Sequence, residues 1–376
     1  MRKGPIVDLD PARAHRLVEI MSPFDQALWN RILRGPLPSV PDLIPLDRIP
    51  SFQLTVEAAI AVDGNPLEGV RPRDVQTHLV QSGASALMVV DFPDAPFVLA
   101  AIPSEFSGVF HLVSTVPVTD GRWKRVERRI STSSTVASCY LNEADFTAAG
   151  DALTEFGDVE VSRVTARDST DWSSLSRGWQ RSPFGRLSHR DVLRYLDEVN
   201  ASVRTMTLSV KDRLHIHLRR LAGTTYYSGD RAPFARVLDV ISAAAARRRE
   251  LLIGRERRIS VPASAPIAVT LPTPRFSDAS ATGDLLTELS RIQNSGIAVL
   301  HRNPYLHVVF TDYLDGSNFD LFVTEANVIE IHPGFRASVG AIARLADRLA
   351  ERFAAVSTVE SGVADTVTLD DLTVAL

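Results

Sequence analysis

The sequence predicts an α+β protein of two or three domains, built mostly of antiparallel sheets flanked by helices. Three observations predict it. Short runs rich in Val, Leu and Phe, separated by Pro and Gly, crowd residues 85–130. Arg204–Val210 alternates apolar with polar residues, and Leu214–Arg220 alternates back across Lys211-Asp212-Arg213. Apolar stripes at helical spacing recur along the chain, the longest following Pro233.

In order, residues 1–35 carry a helical stripe of Leu17, Ile20, Met21, Phe24, Leu28 and Ile32. Five prolines between Pro36 and Pro50 then forbid a regular helix and mark a connector, so 1–50 reads as a helix with a Pro-rich arm. Residues 51–180 read as a mixed α/β domain. Strands are expected at Ala86–Val90, Phe97–Ile102, Val109–Val118 and Val159–Val164, with a helix capped by Asn142. Residues 181–260 read as a basic helix–hairpin–helix module: a helix from Ser188, the alternating hairpin, then a long helix with Pro233 in its first turn and Gly254 past its end. A Pro-, Ser- and Thr-rich stretch over 260–281 separates it from an acidic α+β block, 282–376. That block is expected to hold a helix, strands at 297–301, 305–314, 319–325 and 328–332, and a last helix from Val339.

Composition narrows function more by exclusion than by signature. An apolar content of 45% and a charged content of 23% belong to a globular chain. One cysteine, Cys139, leaves no intramolecular disulfide and no Cys-based zinc cluster. With no apolar stretch behind the N-terminus and none near the about 18 residues that span a bilayer, the expected location is the cytoplasm, away from membranes. Only three of the basic residues, Lys3, Lys124 and Lys211, are lysine, and none follows a glycine, which removes the P-loop. The kinase strand lysine, Ser-x-x-Lys, H-E-x-x-H and G-x-S-x-G are missing too. The chain reads as a binding protein rather than an enzyme, and no cofactor is expected.

What remains is charge. Residues 181–260 hold sixteen Arg and one Lys against eight Asp and Glu, net +9, in a chain that is net −4. Opposite signs in separate blocks imply an anionic partner or an internal electrostatic contact. Arg219, Arg220, Tyr226 and Tyr227 suit a phosphate and a stacked base. Arg247, Arg248, Arg249, Arg255, Arg257 and Arg258 exceed what the negative end of a helix calls for. The first expectation is therefore an Arg-rich central surface that engages an anionic partner, DNA or RNA. The second is an interaction subunit whose basic block pairs with an acidic protein surface. A third is a metal-dependent hydrolase or nuclease using His215 and His217, which alternation places side by side on one polar face. His301, His307 and His332 are further possible ligands, and Asp312, Asp315, Asp320 and Glu330 a separate carboxylate group. Each has a plain alternative: histidines on a hairpin's polar face, and aspartates that bond turn backbone.

Overall fold

The computed structural model describes residues 6–7, 16–46, 49, 52–62, 64–72, 75–133, 135–168, 187–199, 201–220, 223–253, 266–277, 279–302, 305–334, 337–353, 355 and 357–360. It is an α+β structure with two antiparallel sheets. The chain divides into two compact units, Met1–Glu250 and Leu251–Leu376.

In the first unit the expected N-terminal stripe is interrupted. Pro23 drives Ser22 into extended backbone (ψ 154°), and Ser22 Oγ accepts from the Asp25 amide at 3.1 Å, so a new helix, α1 (Pro23–Ile32), starts there. The sheet contains β1 (Ile6–Val7), β2 (Leu54–Ala61), β3 (Thr77–Ser82), β4 (Ser85–Val90), β5 (Phe97–Pro103), β6 (Val109–Ser114), β7 (Val136–Ser138), β8 (Val159–Asp168), β9 (Ala201–Val210), β10 (Leu214–Arg219) and β11 (Gly223–Gly229). Their order is β1-β3-β4-β5-β6-β2-β11-β10-β9-β8, with β7 also on β2. β2 is central and buried along its whole length, which is why its residues show no alternation.

The segments 51–180 and 181–260, expected as separate modules, share this sheet. Thr225 of β11 pairs with Thr55 of β2. The close approach depends on Gly223 (φ 92°), where a Cβ would come within 2.4 Å of the Val56 carbonyl oxygen. The predicted hairpin forms in the expected register, Leu214 opposite Val210 and Arg219 opposite Thr205, with Asp212 in the left-handed region at the turn (φ 55°).

Two layers of helices cover the sheet unequally. On one face α2 (Pro66–Val70) and α3 (Gly121–Ser131) bury Leu67, Trp123, Val126 and Ile130 against Leu99, Ala101 and Leu112. On the other runs α6 (Arg231–Leu252), with Phe234 against Tyr226 (ring centroids 5.0 Å apart) and Ser242 bonded to His111. α4 (Glu143–Leu153) and α5 (His189–Glu198) lie along β9 with Phe146, Leu153, Val192 and Leu196 buried. Asn142 caps α4 in a full capping box with Asp145, and Ser188 caps α5.

The second unit is a sheet of β12 (Ile267–Thr270), β13 (Ser295–His301), β14 (Leu306–Asp312), β15 (Ser317–Glu325), β16 (Val328–Pro333) and β17 (Ser357–Glu360), ordered β13-β14-β15-β16-β12-β17. Its helices are α7 (Ala279–Ser290) and α8 (Val339–Phe353). α8 buries Ile342, Leu345, Leu349 and Phe353, the stripe read from the sequence. No helix among the described residues is long and apolar enough to cross a membrane.

Candidate functional site

The helix-covered core on the α3 face gives way, towards β11, β10, β9 and β8, to polar side chains. Register carries one row across six strands: Ser114, Thr55, Thr225, His217, Thr207 and Arg163. His215, His217 and Arg219 lie on this face as alternation requires. Each histidine is bonded to its cross-strand neighbour, His215 Nδ1 to Ser209 Oγ (2.7 Å) and His217 Nδ1 to Thr207 Oγ1 (2.8 Å). Burial lowers the pKa of both; for His217 burial, with Arg219, Arg163 and His215 adding to it, brings the value to about 4. Both rings are therefore neutral at physiological pH and occupied by hydroxyls.

Among the described residues no group of three or more His, Cys, Asp or Glu side chains could hold a metal ion. The carboxylates of the second unit divide instead. Asp312 and Asp315 face Arg344 (2.6 and 3.9 Å), Asp320 bonds His307 (2.8 Å), and Glu330 lies 3.3 Å from His332. His301 stacks near Tyr305, with centroids 4.7 Å apart.

Arg219 turns inward along the polar face, 3.3 Å from Glu127, which also accepts from Trp123 Nε1 at 2.7 Å. Beside them sits Glu57, 1% exposed and accepting from Ser138 Oγ at 2.6 Å. Burial raises its pKa to about 7, against the smaller lowering effects of Ser138 and Arg219. Nothing in the sequence signalled Glu57; it stands in a strand that alternation did not reveal.

Arg220 points the other way and is 2% exposed. Its Nη1 donates to the Val203 carbonyl at 2.9 Å, and its guanidinium lies 4.9 Å from the centroid of the Tyr140 ring. Arg248 approaches the same ring at 5.2 Å. The hairpin end and the helix end, read as separate arginine clusters, thus converge on Tyr140, a residue the sequence reading passed over. Burial lowers the pKa of Arg248. Arg247 pairs with Asp145 (2.7 Å), and Arg249 packs on Gly108. Arg255, Arg257 and Arg258 lie outside the described residues.

The two tyrosines separate as well. Tyr226 is 4% exposed, packs on Phe52 and Phe234, and donates to the Gly229 carbonyl at 2.7 Å. Tyr227 falls at a bulge between the Tyr226–Ile216 and Ser228–His215 pairs, which leaves its ring 40% exposed and tilted on His215 at 5.3 Å. It borders a cleft of about 870 Å³ between the arm residues Ile44, Pro45, Leu46, Ile49, Phe52 and Gln53 and the β9–β10 turn. Leu46 (88% exposed) and Ile49 form the arm side, and Lys211, Arg213 and His215 the hairpin side. Arg231 holds the arm by bonding the Ile44 carbonyl at 3.1 Å. No protein-family model matches this chain, and no curated protein is similar to it in sequence.

Proposed function

We propose that the protein is an interaction subunit whose cleft at the β9–β10 turn takes an extended segment of a partner protein carrying apolar and acidic residues. One observation carries this reading: among the described residues, most of the basic block is engaged within its own unit. Arg190, Arg194, Arg219, Arg236 and Arg247 pair with carboxylates of the same unit, and Arg220 and Arg231 bond backbone carbonyls. Lys211 and Arg213, by contrast, are exposed at the turn, next to Leu46, Ile49 and Tyr227. Apolar anchors beside Lys211 and Arg213, with Asp212 and Asp230 in the same lining, match a mainly apolar peptide carrying an acidic residue better than a phosphate backbone, which calls for many cations along one track.

Peptide display against the full chain, followed by fluorescence titration of the selected peptides, tests this. Peptides mixing apolar with acidic residues should be enriched, and Tyr227→Ala or the double change Lys211→Glu, Arg213→Glu should weaken them by about tenfold or more. A labelled single-stranded 20-mer supplies the opposing arm. Failure to enrich peptides, together with oligonucleotide binding that falls steeply with salt, returns the nucleic-acid reading and overturns this one.

A further inference from the structure

A free sheet edge offers a row of unpaired N–H and C=O groups, and folded proteins blunt it with shortness, charge or proline. Of the four strands that end the two sheets, three are blunted. β1 has two residues, β17 has four and ends on Glu360, and β8 carries Glu160, Arg163, Arg167 and Asp168. β13 is the exception. Its seven residues, Ser-Gly-Ile-Ala-Val-Leu-His, include no proline and no Asp, Glu, Lys or Arg, and among the described residues only β14 pairs with it. The edge also has an apolar margin. Ile297 and Val299 stand opposite the buried Phe310 and Val308 yet are only half-buried themselves, so the core layer stops short here. Ala298 is exposed and Leu300 is 59% exposed. Tyr313, 67% exposed, lies over Gly296, its hydroxyl filling the space a Cβ would take; Leu314 follows it, and Tyr305 packs on His301. Ile253 apart, Leu300, Tyr305, Tyr313 and Leu314 are all the large exposed apolar and aromatic side chains described in the second unit.

We propose that β13 pairs antiparallel with β13 of a second copy about Ala298, joining the two sheets into one and forming a weak, closed homodimer. Opposite residues of an antiparallel pair share a face. Ile297 of one copy then stands opposite Val299 of the other on the core side, and Leu300 opposite Gly296, beside Tyr313, so that each edge covers the apolar margin of the other. A two-fold contact of this kind is self-complementary and closes on itself. Charge favours a second copy as the occupant: a charged edge would meet itself with the same sign, whereas this strand carries nothing that repels its own image. Seven residues of edge with these neighbours are fewer than the about 20–30 residues a side of a standard interface, so the dimer is expected at tens of micromolar and above. The edge lies in the second unit, and its pairing is independent of the cleft.

Sedimentation equilibrium of the full chain, from micromolar to hundreds of micromolar, tests it. The mean mass should rise from that of one chain towards two. Leu300→Lys should weaken the pairing about tenfold. Ala298→Lys and Ala298→Glu, which set like charges face to face on the two-fold, should each weaken it by about as much. An equimolar mixture of those two variants should pair at least as tightly as the parent, because opposite charges then meet. Both positions are exposed, and an unchanged circular-dichroism melting curve in dilute solution checks that each variant folds. A parent chain that stays monomeric throughout overturns the proposal. So does a dimer that all three variants leave intact, one that the mixture fails to restore, or one that Tyr227→Ala disperses, which would put the contact at the cleft.

Discussion

His111 Nε2 lies 2.8 Å from Ser242 Oγ, a hydrogen bond that ties β6 to α6 inside an otherwise apolar layer. Burial holds the His111 pKa at about 4, below its ordinary 6.5. The unfolded chain therefore takes up a proton between those values that the folded chain refuses. The stability this gives is present above pH 6.5 and is lost as pH falls towards 4, by ~3 kcal/mol in all. His111→Gln should be less stable than the parent at pH 7 and should lose that deficit on acidification. All four tryptophans, Trp29, Trp123, Trp172 and Trp179, precede residue 251, so urea unfolding followed by their fluorescence reports the first unit. Parallel acid dependences for parent and variant would place the acid sensitivity in other groups.

Cys139 is 1% exposed, and burial pushes its thiol up to about 12. The thiolate is the reactive form, so the native protein should resist an aromatic disulfide reagent at pH 8 and release one equivalent only in denaturant. Rapid labelling of the folded chain would mean that the Cys139–Leu141 segment opens locally.

The capping box of α4 is a further point of leverage. Asn142 Oδ1 accepts from the Asp145 amide and Asp145 Oδ2 from the Asn142 amide, both at 2.9 Å, while Asp145 Oδ1 also receives Arg247. Asn142→Ala should cost about 1 kcal/mol. Asp145→Ala should cost more, since it also strands the Arg247 contact. Equal losses in urea unfolding would show that the Arg247 pair, with its 64% exposed arginine, adds nothing.

The extent to which the fold was legible follows from burial on one side or two. The β9–β10 hairpin has one buried and one polar face, so alternation located it and its register. β2 is buried on both faces, β3 nearly so and β11 over its first four residues, and these stretches carry no period to read. Helix α3 was masked for another reason: it closes the 85–130 stretch that reads as strands, although Trp123, Val126 and Ile130 stand at helical spacing. For the arginines, sequence distance misled. Arg220 and Arg248 meet only because β10 and α6 both end beside Tyr140, a long-range contact with no local signature. The pairing of Arg219 with Glu127 and of Arg247 with Asp145 was hidden in the same way, since both carboxylates lie outside the basic block.

Glu57 gives the opposite pH dependence from His111. Its pKa is raised from 4.5 to about 7, chiefly by burial. Between those values the folded chain holds a proton that the unfolded chain has released, so stability falls as pH rises from 4.5, and the full cost, ~3 kcal/mol, is present above pH 7. Glu57→Gln keeps an oxygen to accept from Ser138 and removes the ionisation. It should be nearly neutral at pH 5 and stabilising by up to ~3 kcal/mol at pH 8, an unusual sign for a substitution in a buried strand. The neighbouring cation limits that gain: Arg219, shared with Glu127, favours the ionised form of Glu57. Arg219→Met should therefore enlarge the stabilisation seen with Glu57→Gln at pH 8, giving a coupling of the double mutant that shrinks at pH 5, where Glu57 is protonated. A loss of stability in Glu57→Gln at pH 8 would mean that the ion pair with Arg219 outweighs burial, and that the polar face is held together by charge where it meets the α3 core.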